Sequence, residues 1–413
     1  MKATGLLLVL FFLGIFSVNS QGVNQEYHTI GGIVRDARSR QPIAFASIFV
    51  PGASIGTVTN LDGAFTLKVQ KLLNATHFVV SHLGYHSLRL PIAEQVGTGR
   101  VFFLETHSVT LPEFVVRPDN PRELVRMAIA RIPHNYPPEA QRLTGFYRET
   151  IRQRRDYVSI AEAVVDIDQT AYGSRSARDR VKIIQARKSG DVKRMDTLLV
   201  KLQGGPHVAM LLDVVKNPNV ILDPEIIEDY HYEFVDVVVI DGRTNYVIGF
   251  RPAVILDYPL YIGKLYIDVQ DLGFTMAEFS LDLSNIEKAA SSFIVRKPPR
   301  LRFIPTRTNY LVTYKRIDQT YYLNYVRSEM EFFADWRRRI FRTSYTVMSE
   351  MAITERIPEA SGRFALRDVF RPTFILSDMV MSYFDQAFWG DYNVIEPDES
   401  IESAIQRFNR RFE

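Results

Sequence analysis

Alternation of apolar and polar positions with a period of two runs through most of this chain. Residues 30–35, 44–50, 63–69 and 77–81 are short β-branched or aromatic runs separated by Gly, Pro, Asn and Asp. That spacing predicts a small β-sandwich over residues 28–116. Asn60-Leu61-Asp62-Gly63 reads as a turn, with Gly63 supplying a positive φ. Longer strands follow. Residues 143–151 and 157–167 predict an antiparallel pair across 152–156. Residues 232–240 turn at Asp241-Gly242 into 244–250, and 261–269 turn near 271–273 into 274–281. Tyr310, Val312 and Tyr314 alternate up to a turn at Asp318, and Tyr321, Leu323 and Tyr325 alternate after it. Residues 340–353 predict one more long strand. Such alternation indicates a sheet with one buried face.

A helical period replaces it in three places. Leu124, Val125, Ala128, Ile129 and Ile132 form one stripe, with Asn120 as N-cap, Pro121 at the first helical position and Glu123 placed for a capping box. Pro133 is expected to stop that helix. Residues 170–225 are basic and less regular, and 208–215 is their best helix. Ile401, Ala404, Ile405 and Phe408 predict a closing helix. The fold class is therefore mainly β with an α+β second domain. A helical linker over 117–140 joins the sandwich to a larger antiparallel curved-sheet, half-barrel-like domain with helical inserts over 141–413.

Residues 1–20 read as a signal peptide. Lys2 gives a positive start, residues 6–16 are apolar, and Val18-Asn19-Ser20 forms a cleavage site. That run is well short of the ~20 residues a membrane helix needs. The chain is expected to be exported, with no transmembrane helix after cleavage, and to sit in a Gram-negative periplasm or at its outer membrane. Composition narrows the classes further. With 46% hydrophobic and 23% charged residues, the 413-residue chain is globular, not disordered. A formal charge of +3 gives no reason to expect nucleic acid. The absence of cysteine excludes disulfides, thiolate zinc sites and a lipobox anchor.

Several motifs in the first domain fall into a known pattern. Gly32-x-Val34-x-Asp36 leads to Pro42-Ile43-x-x-Ala46-Ser47-Ile48, then to Gly56-Thr57-x-Thr59-Asn60-x-Asp62-Gly63-x-Phe65-x-Leu67, and last to Ser81-x-Leu83-Gly84-Tyr85. This resembles the carboxypeptidase-like regulatory domain, a transthyretin-like β-sandwich common in Gram-negative envelope proteins and at the N-terminus of TonB-dependent receptors. Asn135-Tyr136-Pro137, Gly145-Phe146-Tyr147-Arg148-Glu149, Tyr157 and Glu162-Ala163 resemble a secreted bacterial family led by that sandwich. Phe388-Trp389-Gly390-x-Tyr392-Asn393 is similar to its closing motif. Gly263-x-Leu265-Tyr266-Ile267-Asp268 is similar in style to strands of lipoprotein-carrier half barrels. None of these resemblances implies a catalytic set or a cofactor.

The residues themselves point the same way. A metallocarboxypeptidase needs His-x-x-Glu, and none of the eight histidines begins that motif. His77, His82 and His86 cluster in sequence, but surface histidines explain them as well as a metal site would. Gly52-Ala53-Ser54-Ile55-Gly56 matches a nucleophile elbow only in spelling, because it lies between two sandwich strands and its glycines suit a loop. Asn60 and Asp62 suit a turn cap better than a calcium loop. Tyr147, Arg148 and Glu149, with Arg152, Arg154 and Arg155, could bind a carboxylate or a sugar, or form a solvated hairpin with cross-strand ion pairs. Glu162 lies inside an apolar strand and, if buried, needs a partner such as Arg148. Trp336-Arg337-Arg338-Arg339 could meet phosphate or simply end a hairpin. The expected role is a non-catalytic envelope protein that binds or scaffolds a protein partner. The alternative is a periplasmic carrier of an apolar or lipid ligand. A hydrolase and a small outer-membrane barrel rank below these. A long apolar cavity under the sheet would favour the carrier, and a core filled by side chains would remove it.

Overall fold

The computed structural model describes residues 27–107, 120–174, 178–190, 204–287, 301–336, 342–357, 362–380, 390, 392–398, 401 and 403. The expected signal segment 1–20, the arginine run 337–339, Phe388, Trp389 and residues 404–408 of the expected closing helix lie outside the described residues, as do residues 108–119.

The first seven strands are β1 (Tyr27–Asp36), β2 (Ser47–Phe49), β3 (Gly56–Val58), β4 (Ala64–Gln70), β5 (His77–Ser81), β6 (Leu88–Pro91) and β7 (Gly97–Leu104). They form a three-stranded sheet, β4-β1-β7, and a four-stranded sheet, β3-β2-β5-β6. Ile30, Val34, Phe65, Leu67 and Phe102 of the first pack with Ile48, Phe78 and Val80 of the second in one core. This is the expected sandwich. The strand expected over 44–50 shrinks to β2, because Phe45 has a φ of 61°. Thr59 holds that corner: its hydroxyl accepts from Ala46 N at 2.8 Å and donates to Ile43 O at 2.7 Å. Gly56 lies in strand β3, not in a loop, and a Cβ there would come within 2.9 Å of Ile48 O. Strands β6 and β7 escape the sequence pattern because little of them is buried.

Ten more strands follow: β8 (Gln141–Gln153), β9 (Asp156–Gln169), β10 (Arg180–Gly190), β11 (Tyr230–Ile240), β12 (Arg243–Pro252), β13 (Tyr261–Asp268), β14 (Phe274–Leu281), β15 (Leu301–Ile317), β16 (Thr320–Trp336) and β17 (Thr343–Ile357). They form one curved antiparallel sheet in the order β10-β9-β8-β17-β16-β15-β14-β13-β12-β11. Its edges β10 and β11 do not meet, so the small-barrel alternative fails among the described residues. Asp241 and Gly242 both take positive φ, as their hairpin turn requires. The expected alternation breaks once. Thr313 pairs with Tyr325 and Tyr314 with Leu323, so Asn324 is an extra residue in β16. The bulge sends Tyr325 to the face opposite Leu323.

One face, here the inner face, is closed by the helix Pro121–Asn135 and residues 206–232. Asn120 Oδ1 accepts from Glu123 N at 3.2 Å, as a cap should. Pro133 lies inside the helix, which closes with Tyr136 N donating to Ile132 O at 3.1 Å. Its ring removes only one hydrogen bond near the end, so the helix runs on. Leu124, Val125, Ala128 and Ile132 are buried against the sheet, so this segment is part of the larger core. The expected helix 208–215 is shorter, Pro206–Leu211, and the basic stretch before it contains edge strand β10. Tyr136, Tyr172, Tyr314 and Tyr321 cluster beneath the sheet, and Asp213 accepts from Tyr172 OH at 2.8 Å and Tyr314 OH at 2.7 Å. Among the described residues, these side chains pack into one apolar core beneath the sheet.

Candidate functional site

The opposite, outer face carries charge in a single row. Across the sheet, Arg187 (β10) pairs with Glu162 (β9), Glu162 with Arg148 (β8), Arg148 with Glu350 (β17), and Glu350 with Arg327 (β16). The same row continues through Leu311 (β15), Glu278 (β14), Lys264 (β13), Gly249 (β12) and Glu233 (β11). Directly opposed side chains on neighbouring strands lie within contact distance, so alternating sign makes the row self-neutralising.

Its first half is buried. Arg187 Nε lies 2.6 Å from Glu162 Oε2, and Arg148 Nη2 lies 2.7 Å from Glu162 Oε1. Arg148 Nη1 reaches Glu350 Oε1 at 3.1 Å, and Tyr325 OH donates to Glu350 Oε2 at 2.8 Å. Arg148 and Glu162 are each 1% exposed. Burial alone would push the Glu162 carboxyl up, but the two arginines hold it below the usual carboxylate range. Burial would likewise ease the proton off Arg148, and Glu162 and Glu350 reverse this. The solvated-hairpin reading thus holds for the exposed Arg154 and Arg155 at the turn, but not for Arg148 or Glu149.

A strap from the end of the chain lies over the row. Arg148 Nη2 donates to Ile395 O at 2.7 Å. On its other side the strap holds the sandwich. Thr57 Oγ1 donates to Val394 O at 3.0 Å, and Asn60 Nδ2 to Pro397 O at 3.0 Å. Asn393 both accepts from Lys68 N (2.7 Å) and donates to Lys68 O (3.0 Å). Val58, Phe146, Tyr325, Val394 and Ile395 close a small core where sandwich, strap and sheet meet. Nearby, Arg356 donates to Ser54 Oγ, so the serine of the elbow-like motif is a docking contact. Asn393→Ala removes both arms of the clamp and is expected to cost about 1–2 kcal/mol, checked by chemical denaturation. Unchanged stability would show that the clamp is replaced by water.

Tyr147 and Glu149 take the other face of the same strand. Glu149 accepts from Tyr147 OH at 3.0 Å and from the Ser377 backbone, with no cation paired to it among the described residues. Burial pushes its carboxyl up to about 8, against those two hydrogen bonds. The four residues singled out in sequence thus separate into two buried groups on opposite faces. Arg148 and Glu162 meet, and Tyr147 and Glu149 meet.

The second half of the row is open. Lys264, Glu278, Leu311 and Arg327 line a groove of about 490 Å³, with Ile262, Asn309 and Tyr310 beside them and Phe45 of the sandwich as its roof. Arg327 lies over the Phe45 ring and pairs with Glu329 at 3.0 Å. Tyr266 OH donates to Glu278 Oε2 at 2.9 Å. A second cavity of about 170 Å³ shares Phe45, Glu278 and Leu311 and is lined by Ser47, His82, Asp241, Thr313 and Lys315. Burial pulls the Lys315 ammonium down to about 8, with Asp241 opposing. These groove residues were missed in sequence: counting from the closing pair Ile267–Phe274 would set Ala277 opposite Lys264, and only the register shift between Tyr266 and Ile267 brings Glu278 there. Among the described residues, no group of three or more His, Asp or Glu could hold a metal ion. The histidine cluster separates: His82 packs against Tyr85, while His86 stacks on the distant His107 at 4.1 Å.

Comparison with known proteins gives likenesses of three kinds. Residues 30–116 match the CarboxypepD_reg-like domain. Over 109 residues the chain is 32% identical to the TonB-dependent receptor SusC of Bacteroides thetaiotaomicron, which is 26% of this chain and only 10% of that protein. Two solved structures overlay at low similarity. A domain assigned to outer-membrane lipoprotein sorting from Vibrio parahaemolyticus matches at TM-score 0.25 and 8% identity, over 59% of this chain and 93% of its own. A DUF1329 family protein from Desulfovibrio piger matches at TM-score 0.26 and 9% identity, over 60% and 98%.

Proposed function

We propose that this is an exported, non-catalytic binding protein of the cell envelope, and that its ligand lies in the groove between sandwich and sheet. One observation carries the reading: both modules build that groove, Phe45 from the sandwich and Lys264, Glu278 and Arg327 from the sheet. A groove lined from two sides fixes a ligand's orientation and couples its binding to how the modules sit together. The lining suits a polar molecule with one flat apolar face, which Phe45 would cover. The CarboxypepD_reg-like match and the likeness to part of SusC support an envelope setting. The carrier alternative fares worse. The described residues of the inner face pack into an apolar core, and the groove between the modules is lined by charge.

Native mass spectrometry of the full chain, purified from its own envelope, tests this. A co-purifying polar species of roughly a few hundred daltons is expected, and Asn309→Trp, at an exposed position on the groove wall, should displace it. A species released only by organic extraction would instead favour the apolar carrier. A bare chain, or one holding only another protein, would overturn the small-ligand reading and leave the scaffold.

A further inference from the structure

The loop between β12 and β13 presents apolar side chains to solvent at its tip. Ile255 is 94% exposed, Tyr258 54% and Val254 39%. The base of the loop is held firmly. Ala253 N donates to Asp229 O at 2.7 Å, Asp282 N to Leu260 O at 2.8 Å, and Tyr261 N to Tyr230 OH at 3.3 Å. Leu256, between the exposed residues, packs against the main core. With Leu256 anchored inward, Val254 and Ile255 on one side and Tyr258 on the other are kept outward. Leaving such area in water is unfavourable, and none of the described residues covers it.

We propose that this loop is an anchor that inserts Val254, Ile255 and Tyr258 into the surface of a phospholipid bilayer. A projecting tip needs no complementary pocket in a fluid that deforms around it, and a tyrosine has an apolar ring for the acyl boundary and a hydroxyl for the headgroups. Arg251, at the loop's base, is exposed and without an ion-pair partner among the described residues, so it can meet headgroup phosphate. The exposed acids Asp257 and Glu233 offset that charge, so apolar insertion supplies most of the attraction. Ile262, at the start of β13, is 42% exposed and lines the groove wall. The anchor would therefore hold the groove's open side near the membrane. The inference is independent of what the groove binds.

Flotation of the full chain with vesicles of phosphatidylcholine and phosphatidylglycerol tests the anchor. The wild-type chain should float with the vesicles, and the double variant Val254→Ser, Ile255→Ser should lower the bound fraction about tenfold. Its melting temperature should not change, because both side chains lie outside the core. A wild-type chain that stays in the soluble fraction would overturn the proposal, as would a double variant that floats equally well. So would sedimentation showing that the substitutions abolish self-association while vesicle binding persists, because the tip would then be a protein contact.

Discussion

Glu162→Ala is expected to destabilise the protein by about 3–5 kcal/mol, because it leaves two buried arginines without their shared carboxylate. Arg187 and Arg148 occupy separate oxygens of Glu162, at 2.6 and 2.7 Å. Neither can turn to water, since Arg148 is 1% exposed and Arg187 is also buried. Arg148 would keep Glu350 and the strap carbonyl of Ile395, so the strap should loosen before the sheet does. Thermal melting should show a fall of roughly 5 °C for a chain of this size. The interaction has a sign in pH as well. The folded carboxyl is held below its ordinary value of 4.5. Its stabilisation is therefore in place above that pH and is lost as acid protonates it. Replacing Glu162 and both arginines together, Arg148→Met with Glu162→Leu and Arg187→Met, should recover part of the loss, since the penalty comes from stranded charge and Glu350 keeps Arg327 and Tyr325. A Glu162→Ala protein that melts with wild type would mean the arginines reach solvent, and the buried-row description would be wrong.

That row explains how far the sequence could be read. Hairpins bounded by turn residues were legible, because Asp241-Gly242 or Asp318 announces a reversal and alternation tells which residues share a face. Counting out from the turn at Arg154 would place Ala161 opposite Arg148; a register shift between Ile151 and Arg152 brings Glu162 there instead, so only the place of Glu162 in an apolar strand pointed to Arg148 as its partner. The partner Glu350 was not legible, because β17 meets β8 about two hundred residues later in the chain, and no local pattern encodes that register. The strap was hidden for the same reason: Val394 and Ile395 have no period, and their role appears only when Thr57 and Arg148 are seen on either side. Strand β10 was hidden differently. Its basic composition suits an edge whose polar side chains reach solvent, and charge obscured the alternation. At Asn324 the pattern itself misled, since a bulge moves Tyr325 to the other face without any change in hydrophobic spacing.

Glu149→Gln should do the opposite of Glu162→Ala and stabilise the protein, increasingly so as pH rises. The two carboxylates belong to paired strands, but they face opposite sides of the sheet. Glu162 faces two arginines, whereas Glu149 faces Tyr147, the Ser377 backbone and the carboxylate of Asp378. Burial, with Asp378 adding to it, raises the Glu149 carboxyl from 4.5 to about 8. Between those values the unfolded chain has released the proton and the folded chain still holds it. Each pH unit in that window costs the fold about 1.4 kcal/mol. Wild-type stability from this group is therefore fully present below pH 4.5, falls as pH rises, and levels off above about 8. Glutamine keeps an oxygen to accept from Tyr147 and Ser377 and has no proton to lose in this range. At pH 8 the variant should gain on the order of 2–4 kcal/mol over wild type, and near pH 4.5 the gain should vanish. Denaturant titration of both proteins across that range reads the difference directly, because every other titrating group is common to both and cancels. A gap that stays constant with pH would show that Glu149 is already ionised in the folded protein. In that case a cation faces it, and the inner side of the sheet near Leu376–Met379 is wetter than its packing indicates.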